Sequence, residues 1–144
     1  AILTKPGALT EDERKVMNYH ARIGYEILHD EQRSPLTDLA AEIAISHHER
    51  WDGSGYPNGL KGEEIPLSGR IVALCDVYDA LRSPRPYKQA WSAERAQAHI
   101  RDNAGGHFDP HLVQIMSSMF AELEALQLTM ADRAEPFTLS PQHD

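Results

Sequence analysis

Two adjacent histidines, His47 and His48, directly precede a segment holding Gly53, Gly55, Pro57, Asn58, Gly59 and Gly62. So many turn-formers exclude regular structure, so the segment reads as a shaped loop. At its mouth a helix no longer directs the two imidazoles, and both can reach one ion. His20 falls on the apolar stripe Val16, Ile23 and Ile27 of an earlier helical stretch, which turns it inward. Asp76 interrupts the apolar run Ile71 to Leu81, where an isolated carboxylate is costly unless it is paired or bound to a metal. Three imidazoles and a carboxylate suit a divalent transition metal: iron or manganese first, zinc if the site stays four-coordinate. Simpler roles stand beside these: a hydrogen-bonded core histidine for His20, a helix C-cap pair for His47 and His48, and an ion pair with Arg70 or Arg82 for Asp76.

Arg82, Arg85 and Lys88 cluster after that aspartate, in a loop with Pro84, Pro86 and Tyr87. Guanidinium pairs with phosphate bidentately, so the cluster reads as a phosphate clamp or, alternatively, as a solvated surface loop. His107 and His111 flank Asp109-Pro110 and read as packing and turn features. His29, His99 and His143 show no partners.

Helices are expected to position these residues. Thr10-Glu11-Asp12-Glu13 reads as a capping box opening a helix to about His29. Ser34-Pro35 starts a second, with Leu36, Leu39, Ala40, Ile43 and Ala44 on one face and His47 and His48 continuing it. A third begins near Pro66 and is apolar on almost every side, as a central core helix would be. Ser92 caps a fourth to about Ile100, and Asp109-Pro110 opens a fifth to about Leu128. No segment alternates with period two and no internal repeat is present, so the fold class is all-α, with about five helices. One domain over 1–130 is expected, followed by a polar tail over 131–144.

The chain has 144 residues, 41% of them apolar, enough for one core. Its 14 Lys and Arg against 22 Asp and Glu give a net charge of −8, which disfavours duplex nucleic acid. The sole cysteine, Cys75, excludes a disulfide framework and a thiolate cluster, in keeping with a reducing cytoplasm. No apolar run approaches the roughly 20 residues needed to span a bilayer, and the opening residues lack a signal-peptide core.

The run from His47 through His48-Glu49-Arg50-Trp51-Asp52-Gly53-Ser54-Gly55-Tyr56 to Pro57 resembles the signature of the HD-GYP family, a branch of the HD metal-dependent phosphohydrolases. The resemblance extends through Lys5 to Thr10, His20, Ile65-Pro66, Asp76 to Leu81, Arg85 to Lys88 and Gly106 to Pro110, and weakens after about residue 120. It implies a helical bundle of the HD type. It further implies that His20, His47 and His48 ligate one metal of a two- or three-metal cluster, with Asp76 on a neighbouring metal. Arg85 and Lys88 would hold the substrate phosphate, while Gly55, Tyr56 and Pro57 would shape the pocket around cyclic di-GMP. Family members hydrolyse that messenger to the linear dinucleotide and on to GMP.

The resemblance also has a gap. The family's His-Asp pair and the lysine after it lie on helices before the stretch matching Ala1 to Thr10, and neither His29-Asp30 nor His143-Asp144 stands in that place. The expectation is the C-terminal part of a phosphodiesterase domain, the output module of a longer bacterial signalling protein with an N-terminal receiver or sensor, weakly active or inactive alone. The alternatives are a natural variant serving as a non-catalytic module that docks diguanylate cyclases through its Gly-Tyr-Pro loop, a site completed by another subunit, and a phosphohydrolase of another nucleotide. Cyclic di-GMP and related cyclic dinucleotides are not separated by sequence, and a homodimer is left open.

Overall fold

A computed structural model describes residues 10–29, 34–84 and 89–131, without the side chains of 127, 128, 130 and 131. The order is α1 Glu11–Asn18, α2 His20–Leu28, α3 Pro35–Ser46, a short 3₁₀ turn Gly62–Glu64, α4 Leu67–Arg82, α5 Ala93–Asp102, α6 Pro110–Ser118 and α7 Phe120–Ala131. There is no strand among the described residues, only an isolated bridge between Ala104 and Phe108. The fold class is therefore all-α, as the sequence leads one to expect.

Local chemistry sets the helix starts. Thr10 and Glu13 form the reciprocal capping box, with Glu13 N–H donating to Thr10 Oγ1 at 3.3 Å and Thr10 N–H to Glu13 Oε2 at 2.8 Å. Ser34 accepts from the Thr37 amide, Ser92 from the Arg95 amide and Asp109 from the His111 amide. Proline occupies the first turn of α3 and α6. Two expected helices are each divided in two, at Tyr19 and at Met119. Around Tyr19 the bonding tightens, its N–H shared between Lys15 O and Val16 O.

The main core gathers Leu74, Tyr78, Leu81, Ala96, Ile100, Phe108, Val113, Met116 and Phe120 from α4 to α7. Helix α4 buries one face only, since Ile71 and Cys75 are exposed. That corrects the expectation of a helix enclosed on all sides. Nor is the stripe on α1 and α2 buried: Val16, Ile23 and Ile27 are 62%, 46% and 71% exposed. On α3 the buried residues are Ala41 and Ser46, while Leu36 and Leu39 are exposed. Period alone marks an apolar stripe, but what covers it is a tertiary matter.

The crossing of α3 and α4 fixes the frame beneath the histidines. A Cβ on Gly69 would stand 2.2 Å from Ser46 Oγ, so only glycine permits this approach. Ser68 Oγ also donates to Glu42 Oε1 at 2.6 Å. The end of α3 is thus pinned one residue before His47. Of the expected tail, all but Ala131 lies outside the described residues.

Candidate metal centre

His20 opens α2, and His47 and His48 follow the last residue of α3. The start of α2 therefore meets the end of α3, which makes the two helices antiparallel. One ligand-competent atom from each of the three histidines lies within 4.8 Å of the others. His20 is exposed as a residue rather than enclosed, but its ring meets the other two at 5.9 Å and 4.8 Å between centroids.

Hydrogen bonds orient the rings. His47 Nδ1 lies 2.9 Å from Ile43 O and His20 Nδ1 2.5 Å from Met17 O; since a carbonyl only accepts, both Nδ1 atoms carry the proton. Each Nε2 then presents a lone pair to the cluster, the arrangement in which metal-binding histidines are usually held. His48 Nε2 stands 3.0 Å from His20 Nε2. Two nitrogens each about 2.1 Å from one ion lie about 3.0 Å apart at a right angle and about 3.4 Å apart at the tetrahedral angle. Three neutral imidazoles are a donor set for a divalent ion; the His20–His48 spacing is that of a right-angle pair, and the three ligand atoms lie within 4.8 Å of one another.

Burial lowers the His48 pKa to about 4, with help from the neighbouring His47 and His20 and opposition from the negative charge of Asp76. The ring is neutral near pH 7, as ligation requires. Asp76 is exposed, contrary to its expected burial among apolar residues, so desolvation gives no argument for a metal there. It lies on α4 close enough to act on His48 and is not one of the converging group. Arg70 pairs with Asp109 at 2.7 Å and Arg82 with Glu124 at 2.6 Å. Arg85 and Lys88 lie outside the described residues.

The loop after His48 is built on a residue that sequence reasoning passed over. Glu49 is 2% exposed, and its carboxylate accepts from the backbone N–H groups of Asn58 at 2.7 Å and Leu60 at 3.0 Å. The far limb of the loop is thereby folded back on its base. Gly55 is required at this fold, because a Cβ there would lie 2.3 Å from Arg50 N and 2.5 Å from Glu49 Cα. The Tyr56 N–H donates to His48 O at 3.2 Å, and the Tyr56 ring stacks on His48 with centroids 4.8 Å apart. The Tyr56-Pro57 peptide is cis, and Pro57 borders a second cleft of about 280 Å³.

Beside the trio opens a cleft of about 520 Å³ lined by His48, Gly55, Tyr56, Arg14, Arg50 and His107, among others. His107 reaches it because Trp51 N–H donates to His107 O and Asp52 N–H to Gly106 O. Its ring stacks on Phe108 at 4.2 Å, and burial, then the charge of Arg50, lowers its pKa to about 4. Arg14, Arg50 and His107 were not singled out as site residues from sequence. Arg50 carried a signal in its place two residues after His48, and His107 in the Gly106 to Pro110 stretch of the resemblance, whereas Arg14 carried none.

The family profile described as HD domain matches residues 1–112. The chain belongs to the HD-domain family, and its signature places it in the HD-GYP branch. It is 52% identical over 126 residues to the cyclic di-GMP phosphodiesterase response regulator RpfG of Xanthomonas campestris pv. campestris, covering 88% of this chain and 33% of that protein. A cyclic di-GMP phosphodiesterase of Vibrio cholerae is 46% identical, over 93% of this chain and 28% of its own. A 3'3'-cGAMP-specific phosphodiesterase of the same organism is 44% identical, over 92% and 25%. The chain thus spans between a quarter and a third of the length of these relatives. Among solved structures, a cyclic GMP-AMP specific phosphodiesterase of V. cholerae superposes with a TM-score of 0.63 at 28% identity, covering 77% of this chain and 25% of that one. No helix among the described residues is long and apolar enough to cross a membrane.

Proposed function

We propose that this chain is the ligand-bearing part of a metal-dependent phosphodiesterase domain that hydrolyses cyclic di-GMP to the linear dinucleotide and to GMP. The observation that carries the reading is the convergence of His20, His47 and His48, with two Nε2 atoms 3.0 Å apart, beside a cleft lined by arginines. The names of the relatives supply the substrate class.

His20, His47 and His48 would hold the ion, with Asp76 serving a neighbouring one. Iron or manganese is the favoured ion for this donor set, with zinc if the site stays four-coordinate. Such an ion supplies Lewis-acid neutralisation of phosphoryl charge and acidifies water at neutral pH. The chain's own groups do the positioning. Carbonyls of Ile43 and Met17 keep the protons on Nδ1 of His47 and His20, and the neutral His48 ring is braced by Tyr56. Gly55, Tyr56 and Pro57 shape the wall on which the dinucleotide lies, and Arg85 and Lys88 hold its phosphate. The His-Asp pair and lysine implied by the resemblance have no counterpart in the family position, so full turnover is expected from a chain that also carries them. The docking alternative draws on the same loop, but Tyr56 is committed to His48.

The test measures metal content and cyclic di-GMP hydrolysis on this chain and on one extended at its N-terminus to include those groups. Turnover is expected on extension, with metal lost in His20→Ala, His47→Ala and His48→Ala. An extended, metal-loaded chain that never hydrolyses the dinucleotide overturns the enzyme reading, and unchanged metal content in all three variants overturns the ligand assignment.

A further inference from the structure

The cleft beside the histidine trio has an unbalanced charge. In a chain with 22 acidic and 14 basic residues, no carboxylate lines it among the described residues, whereas Arg14 and Arg50 both do. Asp52 sits 3.8 Å from Arg50 Nε, a long contact, and is already engaged by Ser54, whose N–H donates at 2.9 Å and whose hydroxyl donates at 2.6 Å. Both bonds fall on Oδ1 and hold the Asp52 pKa below its ordinary value, with a smaller contribution from Arg50. Arg14 is exposed on α1 and makes no ion pair among the described residues. Two arginines from separate elements therefore line one concavity whose described lining holds no carboxylate.

Resting on the phosphodiesterase reading, we infer that Arg14 and Arg50 form an anion subsite for the second phosphate of the cyclic dinucleotide, the one not placed at the histidine trio. His48 lines the same cleft, so a ligand with one phosphate at the trio extends directly along it. A cyclic dinucleotide carries two phosphodiesters on opposite sides of its ring, and its second charge would otherwise enter an acidic protein uncompensated. The Arg50 guanidinium, whose contact with Asp52 is a long one through Nε, would pair with the phosphate as a fork. His107, neutral at pH 7, closes the wall behind Arg50 and adds a ring hydrogen bond rather than charge. The subsite thus selects two-phosphate over one-phosphate ligands.

The experiment is titration calorimetry on the full-length, metal-loaded protein with a hydrolysis-resistant phosphorothioate of cyclic di-GMP and, separately, with GMP. Arg14→Ala and Arg50→Ala are each expected to weaken the cyclic ligand at least about tenfold, Arg50→Lys less, and to leave GMP affinity unchanged. Circular dichroism confirms that each variant folds, and both positions are solvent-accessible enough to tolerate alanine. Unchanged cyclic-ligand affinity in both alanine variants overturns the subsite. Equal weakening of GMP overturns it in favour of contacts to the guanine or to the phosphate at the trio. If the wild-type protein binds no cyclic dinucleotide, the phosphodiesterase reading fails and takes the subsite with it.

Discussion

Glu49 lies in the interior as a carboxylate because two backbone N–H groups of the loop point at it, and the loop keeps its shape because that carboxylate is there. Glu49→Gln turns one acceptor oxygen into a donor facing another donor. We expect a loss of about 1–3 kcal/mol, read by urea unfolding, together with a weaker hold of Tyr56 on His48. An unchanged unfolding midpoint would remove Glu49 from the account of the loop. His107 offers a pH-dependent counterpart. Its pKa of about 4 in the fold, against 6.5 ordinarily, means that the unfolded chain takes up the proton first as pH falls. The folded state therefore holds its full stability above about pH 6.5 and loses it progressively toward about pH 4. His107→Gln should flatten that slope; an identical pH profile in the variant would show that the ring titrates normally. In the metal-free protein His48 acts in the same direction.

Helices α3 and α4 approach at Gly69 and Ser46 until no side chain fits between them. Gly69→Ala should cost about 1–3 kcal/mol by overpacking and should lower metal affinity, because the displaced helix end carries His47 and His48. Ser46→Gly should restore part of the loss; a double variant no better than the sum of the singles would place the strain elsewhere. The caps at Thr10, Ser34, Ser92 and Asp109 were legible in sequence, because a cap is decided within four residues. The divisions at Tyr19 and Met119 were not, since they alter single hydrogen bonds within otherwise continuous apolar patterns. Which face of α4 is covered was also hidden, and with it the exposure of Asp76. His47 and His48 were visible because the signature sets them side by side, and His20 through its place in the apolar stripe and the wider resemblance, whereas Arg14 lines the cleft only through the tertiary placement of α1.

Taken as a whole, the molecule joins the start of α2 to the end of α3 through three side chains, so an ion bound there ties two elements together. A ligand held only by the folded state stabilises it by about 2.7 kcal/mol when present at 100 times its dissociation constant. Calorimetry should accordingly show a lower Tm after chelation and recovery on adding manganese or iron. An identical Tm with and without metal would mean that the trio does not bind the ion in the native state.

The stacking of Tyr56 on His48 gives the centre a built-in reporter. A phenol ring whose centroid is 4.8 Å from that of the His48 imidazole would be within range of an unpaired electron on a metal held by that imidazole. On loading with manganese, the Tyr56 ring protons should broaden out of the nuclear magnetic resonance spectrum, while those of Tyr78, in the core between α4 and α7, change far less. Occupancy could then be followed in solution without substrate, residue by residue, through relaxation that fades steeply with distance from a single point.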